Sequence, residues 1–268
     1  MRSMRHSARL RSGLAMARIG ALAAFSARAI LLGRALFYLL VMLVLARFWD
    51  GVAAEGAKHA MQLPSGMVLY VGIAEWIAIS IPAIHLRLED DIRSGSIEAH
   101  LLRPMPYLLG RISESIGGMS VRLGVLGLAG LAALLFFGRP VPSAGAWPSL
   151  IILGLLGGIV VILLNTIVGL SAFWLRRCLA AFLIMQKLIF LLGGLFAPLT
   201  LYPTWLERIA EASPFAAGLY WPAIVALRND ATTVVTAFAA VLVWIAMLGL
   251  ACGVIWRAGM RRLLTRGI

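Results

Sequence analysis

Two ionisable residues interrupt otherwise apolar stretches of this sequence. Glu75 lies in LYVGIAEWIAIS, and Lys187 lies in AFLIMQKLIFLL. A charged side chain in the middle of a bilayer costs about 2.5–3.5 kcal/mol on insertion scales, so an acid and a base placed there commonly pair or line a polar path. Their matching depth makes an ion pair possible, within one chain or between two copies. A water-filled path past them, or independent snorkelled and lipid-shielded positions, remain as alternatives.

A second group of charged residues forms a segment between two apolar stretches, RLEDDIRSGSIEAHLLRPMPY. Ser96 can cap a short helix whose N-terminal dipole suits Glu98, and prolines end that helix after Leu101 and Leu102. A charged loop is usually only solvated, but a short helix with an apolar face can also dock onto a partner. The whole connection, about residues 86–115, holds five of the eleven acids of the chain: Glu89, Asp90, Asp91, Glu98 and Glu114.

The motifs of common enzymes do not occur in the sequence. A P-loop needs a lysine that follows glycine and precedes Ser or Thr, whereas the lysines are Lys58, in GAKHA, and Lys187. Zinc-ligand spacing of histidines and a G-x-S-x-G elbow do not occur either. Cys178 and Cys252 are far apart, as expected of small packing residues. We expect no catalytic residue, metal site or cofactor in this chain.

The composition indicates whether the segments that carry these residues lie in water or in lipid. Only 13% of the residues are charged and 62% are hydrophobic, too little polar material to coat a soluble globule. The net charge of +13 arises from basic residues between apolar stretches, a pattern that suits anionic lipid headgroups better than nucleic acid. Stretches near 20 residues match a helix crossing a bilayer, so the sequence predicts an all-α membrane protein.

Six membrane spans are predicted. Lys and Arg concentrate before the first span, after the second and fourth, and after the last, so the positive-inside rule places both termini in the cytoplasm. Arg34 and Arg122, near the cytoplasmic ends of their spans, can snorkel to the headgroups. The predicted spans are Ala29–Phe48, Gly66–His85, Ile116–Phe137, Ser149–Trp174, Leu179–Leu199 and Thr233–Trp256.

Two further segments flank these spans. Residues 1–28 carry six arginines and no acid, and their apolar residues recur near helical spacing, which favours an interfacial helix on the cytoplasmic leaflet. A disordered basic tail and a mitochondrial transit peptide are the alternatives. Residues 198–222 are too apolar for a free loop and too rich in proline for a span, so we expect short re-entrant helices in the outer leaflet.

Two strings of the sequence resemble a known family. DIRSGSIEAHLLRPMPY, after the second span, and FAPLTLYPTWLERIAEASPF, after the fifth, resemble the ABC-2 type permeases. The likeness is greatest to the small six-helix permeases of bacterial ABC exporters, whose ATPase is a separate chain. The resemblance implies a type V exporter-like fold, with residues 1–28 as interfacial helix and residues 29–268 as permease domain in the bacterial inner membrane.

The same resemblance implies half of a transporter. A second permease, identical or homologous, would complete the path between spans one, two and five, and two ATPase subunits would bind ATP and Mg beneath. Residues 86–107 would hold the coupling helix. The coupling residues would be Glu89, Asp90, Asp91, Arg93, Glu98, Leu101 and Leu102.

Two other functions remain open at this stage. A secondary transporter would use an ion gradient through Glu75 and Lys187, although a second broken helix in a matching half is not visible in the sequence. A non-transporting membrane scaffold would need neither residue. The sequence does not predict the substrate.

Overall fold

The computed structural model describes residues 2–58, 66–98, 105–175 and 177–266, and this part of the chain contains helices and no strand. The long helices form because apolar stretches without internal proline satisfy their backbone groups locally. The α-helices are α1 Arg2–Ser26, α2 Arg28–Lys58, α3 Met67–Ser80, α4 Ile84–Arg93, α5 Tyr107–Phe136, α6 Trp147–Leu170, α7 Leu179–Leu192, α8 Thr204–Glu211, α9 Pro214–Gly218, α10 Tyr220–Leu227 and α11 Ala231–Arg266.

In the described part of the chain, five segments are long and apolar enough to cross a membrane, and they coincide with five of the six predicted spans. The predicted span Leu179–Leu199 is different, because its helix α7 has only 14 residues. At 1.5 Å per residue such a helix covers about 21 Å of a hydrocarbon core of about 30 Å. The five segments are Arg28–Glu55, Met67–Arg93, Tyr107–Phe136, Ala144–Phe173 and Ala231–Thr265.

Helix α7 ends at a glycine pair. The backbone N–H of Gly193 still bonds to the carbonyl of Ile189, but Gly194 has a φ of +64°, which other residues rarely adopt. The chain therefore leaves the helix earlier than its apolar composition predicts.

The second predicted span is broken rather than continuous. Ile81 adopts an extended conformation, with φ −69° and ψ 131°, because Pro82 disfavours helical geometry in the residue before it. Arg34 of α2 donates to the freed carbonyl oxygens of Ile79, at 2.5 Å, and Ile81, at 3.4 Å. This arginine therefore caps the end of α3 instead of extending to the headgroups.

Helix α1 covers most of the N-terminal segment and packs along the first half of α5. Gly20 lies so close to α5 that a Cβ there would overlap the carbonyl oxygen of Glu114, and Gly117 is equally close to Ala17. The larger apolar side chains of α1, including Leu14, remain exposed. The small residues thus fix α1 to the protein while its larger residues face outward.

Helix α6 is the centre of the packed core. It contributes fully buried Leu153 and Ile162, and α3, α4, α10 and α11 pack around it. The segment 198–222 contains the short helices that the sequence predicts, α8, α9 and the start of α10. The carbonyl of Gly218 approaches α6 where Gly157 leaves room for it.

Candidate functional site

Helix α4 presents two different faces to its surroundings. Ile84, Leu88 and Ile92 recur every four residues and are buried, as one stripe of an amphipathic helix should be. The stripe packs on the end of α6, where a Cβ on Gly169 would meet Leu88 at 2.8 Å. The charged residues of the predicted docking segment are therefore divided between the protein interior and the surface.

Glu89 belongs to the interior and links α4 to α7. Its side-chain oxygen Oε2 accepts a hydrogen bond of 3.0 Å from the backbone N–H of Cys178, the residue just before α7. A carboxylate is favoured there because the N-terminus of a helix carries a partial positive charge. The other oxygen accepts from Arg93 at 3.5 Å. Glu89 therefore connects α4 to the start of α7.

Asp91 makes the corresponding link from α4 to α5. One carboxylate oxygen accepts two hydrogen bonds from Arg111, at 2.6 and 2.9 Å, and a third from the hydroxyl of Tyr107. The other oxygen accepts from Ser96 at 3.2 Å. Such charge-assisted bonds, several of them on one carboxylate, fix the angle between the two helices.

Glu114 extends this network along α5. Its carboxylate pairs with Arg111 at 3.1 Å and with Arg87 of α4 at 2.5 Å. The helix that carries the predicted span Ile116–Phe137 begins earlier, at Tyr107, directly after Pro106. The i, i+3 spacing of Arg111 and Glu114 was the available sequence signal for this network.

Asp90, Arg93 and Glu98 are the predicted docking residues that stay exposed. They lie along α4 and just after the turn at Gly95, whose φ is +73°. Leu101 and Leu102 lie outside the described residues. Among the described residues of the predicted coupling set, the charges on the surface are therefore those of Asp90, Arg93 and Glu98.

A polar cavity of about 460 Å³ lies beside the break between α3 and α4. Its walls come from α2, from the break, from α6 and from α7. The ionisable and polar residues that line it are Arg34, His85, Asn165, Gln186 and Lys187. Of these lining residues, sequence reasoning identified only Lys187 as a pathway residue, because Arg34, His85 and Asn165 lie in separate segments that only the fold brings next to Gln186 and Lys187.

Two lining residues contain buried polar atoms without a hydrogen-bond partner, Oδ1 of Asn165 and Nδ1 of His85. Most buried polar atoms in folded proteins are bonded, so each exception calls for a reason. His85 stacks on Phe182 of α7, with ring centroids 3.8 Å apart. The contact adds a second connection between the α4 segment and α7.

Glu75 and Lys187 are not joined within this chain. The ion pairs of the described residues do not include them, and Glu75 does not line the cavity that Lys187 lines. A pair between two copies of the chain stays a prediction.

The described residues contain no group of three or more side chains of the types that bind metal ions. The site is thus built from ion pairs, helix ends and a polar cavity. Such an arrangement can bind a partner on one face and a ligand in the cavity, and can carry movement between them.

Comparison with known proteins bears on these features. A family model described as ABC-2 family transporter protein matches residues 64–267, a range that includes the broken second span, α4 and the whole cavity apart from Arg34. No curated protein and no solved structure gives a significant match. The resemblance found in the sequence is thereby confirmed. With its several long apolar helices, this chain is a multi-pass membrane protein of the ABC-2 transporter permease family.

Proposed function

We propose that this chain is the transmembrane permease subunit of an ATP-driven ABC exporter. It works as one of two permease chains, identical or homologous, above two separate ATPase subunits that bind ATP and Mg. The observation that carries this proposal is the family match over residues 64–267, because permeases of this family are membrane components rather than ATPases. In this account the chain carries no catalytic residue and converts the partner's chemistry into movement.

The arrangement of α4 supports a lever mechanism. Asp90, Arg93 and Glu98 offer charges to the ATPase, while Glu89 and Asp91 hold the same helix to α7 and α5. Closure of the ATPase dimer would push α4 as a rigid body, since its links are short charge-assisted bonds. The break before α4 would act as the hinge, and the cavity beside it would change shape.

This proposal includes a definite orientation in the membrane. The α4 end and both termini face the cytoplasm of a bacterial cell, where basic residues are retained beside anionic lipids. Segment 198–222 lies in the outer leaflet as short re-entrant helices, and α7 with the residues directly after it forms the fifth of six crossings. Helix α1 lies along the inner leaflet with its exposed apolar side chains in lipid.

The test is co-purification of an ATPase. The tagged chain is extracted from native membranes in mild detergent, and bound chains are identified by mass spectrometry. We expect an ABC ATPase, and we expect less of it when Asp90 and Glu98 are both changed to Lys. Arg208→Glu is the control, because this substitution reverses the charge of an exposed residue at the opposite end of the protein.

Two results would contradict the proposal. One is a pure permease dimer with no ATPase under conditions that preserve other ABC complexes. The other is equal loss of the ATPase in the α4 variant and in the Arg208→Glu control, which would show that the effect does not come from α4.

A further inference from the structure

We propose that the polar cavity binds the anionic group, a carboxylate or a phosphate, of an amphipathic cargo molecule. The inference rests on the proposed function and adds the substrate class. Its main support is the charge of the cavity wall, because the described lining residues include two cations, Arg34 and Lys187, and no carboxylate.

Lys187 is the first cation to consider. It lies in the middle of α7, its side chain is exposed within the chain, and no described carboxylate forms an ion pair with it. An ammonium group at this depth is unfavourable without a counter-charge or water. A bound anion supplies that counter-charge, so the position favours an anionic ligand over a neutral or cationic one.

Arg34 adds a second cation with fixed geometry. Its Nη1 donates to the carbonyls of Ile79 and Ile81, which hold the guanidinium at the break beside the cavity. A guanidinium has five N–H donors, so donors on its other nitrogens remain for a ligand. Because planar guanidinium groups match carboxylate and phosphate oxygens, Arg34 specifies the anion's orientation.

The remaining walls provide for the rest of the molecule. Asn165 and Gln186 carry amide groups, and Oδ1 of Asn165 is without a protein partner. Phe182, Phe190 and Leu195 form an apolar side. A volume of about 460 Å³ lies within the range of about 300–1,000 Å³ of small-molecule sites. The cavity lining therefore combines polar groups for an anionic head with apolar side chains for the rest of an amphiphile.

A different occupant competes with this cargo. In a pair of permease chains, Glu75 of the second copy could reach Lys187 and neutralise it without any ligand. The two explanations differ in one respect: removal of the Glu75 carboxylate would leave cargo binding unchanged if the cargo is the counter-ion. The experiment therefore includes Glu75→Gln.

The experiment uses the purified permease–ATPase complex in lipid nanodiscs with photoreactive probes. One probe is dodecanoate with a diazirine at the chain end, and the other is the matching dodecylamine. Labelled peptides are identified by mass spectrometry after digestion. We expect dodecanoate, and not dodecylamine, to label peptides of α7 and of the α3–α4 break.

Lys187→Gln should lower the dodecanoate labelling by about tenfold, the effect of removing one hydrogen bond to a charged group. Lys187→Arg should retain it, and Arg208→Gln is the control for loss of a remote charge. The inference is overturned if dodecylamine labels equally, if Lys187→Gln changes nothing, or if labelling appears only after Glu75→Gln.

Failure of this inference is distinct from failure of the proposed function. A complex that retains its ATPase but labels with neither probe contradicts only the anionic cargo. A permease that labels with dodecanoate but never binds an ATPase contradicts the exporter and leaves the anion site in place.

Discussion

Removal of the Asp91 carboxylate should destabilise the protein far more than removal of its neighbour Asp90. Asp91 accepts two hydrogen bonds from Arg111, and others from Tyr107 and Ser96, whereas Asp90 is exposed. The change Asp91→Ala breaks all of these bonds, while Asp90→Ala alters one solvated charge of the same helix. The two variants are therefore matched in residue type and position.

The size of the effect follows from partial burial. The side chains of Arg111 and Asp91 are 21% and 14% exposed, so the pair is partly buried. A surface ion pair contributes about 0–1 kcal/mol to stability. Breaking a buried pair costs about 3–5 kcal/mol, so the energy expected here lies between these two values. We expect Asp91→Ala to lower the free energy of unfolding by about 2–3 kcal/mol. Asp90→Ala should change it by about 0.5 kcal/mol or less.

The assay is thermal unfolding in detergent, followed by tryptophan fluorescence. For a chain of this size, about 2–3 kcal/mol corresponds to a fall in Tm of about 5–10 °C. The reasoning is refuted if both variants lower Tm equally, or if Asp91→Ala leaves it unchanged. Either outcome would mean that the network does not hold α4 against α5.

The remaining predictions concern three other contacts. Gly20→Ala should lower Tm because its Cβ would overlap the carbonyl of Glu114. The control Gly33→Ala places its Cβ in open space, so it should be neutral or stabilise the protein by up to about 1 kcal/mol. Both variants are measured by thermal unfolding. Burial raises the pKa of the Cys178 thiol, so its reactive thiolate forms only at higher pH than in an ordinary cysteine. In a chain whose other cysteine is serine, alkylation by a maleimide at pH 8 should be slower than after mild unfolding, and equal rates would contradict the burial. Glu89→Gln should weaken the contact between α4 and the start of α7. The ATPase should therefore still co-purify, while the stimulation of ATP hydrolysis by cargo falls. Loss of the bound ATPase would instead place Glu89 in the docking surface.

Much of the architecture could be predicted because lipid imposes a simple rule. Apolar stretches near 20 residues must be helical to satisfy their backbone groups, and five of the six predicted spans follow this rule in the structure. The short helices of segment 198–222 followed from its prolines and aromatic residues. The family followed from two strings, and its match over residues 64–267 confirms it.

The exceptions have local causes that composition does not reveal. Pro82 breaks the second span although its immediate neighbours Ile81 and Ala83 are apolar, and Gly194 ends α7 before its apolar stretch ends. Arg34 seemed free to extend to the headgroups, but the break exposes carbonyl oxygens that bind it. Backbone conformation, rather than hydropathy, decides each of these cases.

The functional residues were harder to predict because their roles depend on which face of a helix is buried. Glu89 and Asp91 look like Asp90 in the sequence, yet the packing of Leu88 and Ile92 turns the first two toward α7 and α5. The cavity joins residues from segments far apart in the chain. No spacing rule relates residues across such distances, so only the fold could place them together.

The central claim is that the exposed face of α4 contacts a separate ATPase. The most direct measurement places a photoreactive amino acid at the exposed position 90 and irradiates intact cells. The same amino acid at the inward-facing position 89 is the comparison. The account predicts a crosslink from position 90 to a chain that contains a P-loop, and none from position 89. Crosslinks from position 90 only to lipid or to a second copy of the permease would contradict it.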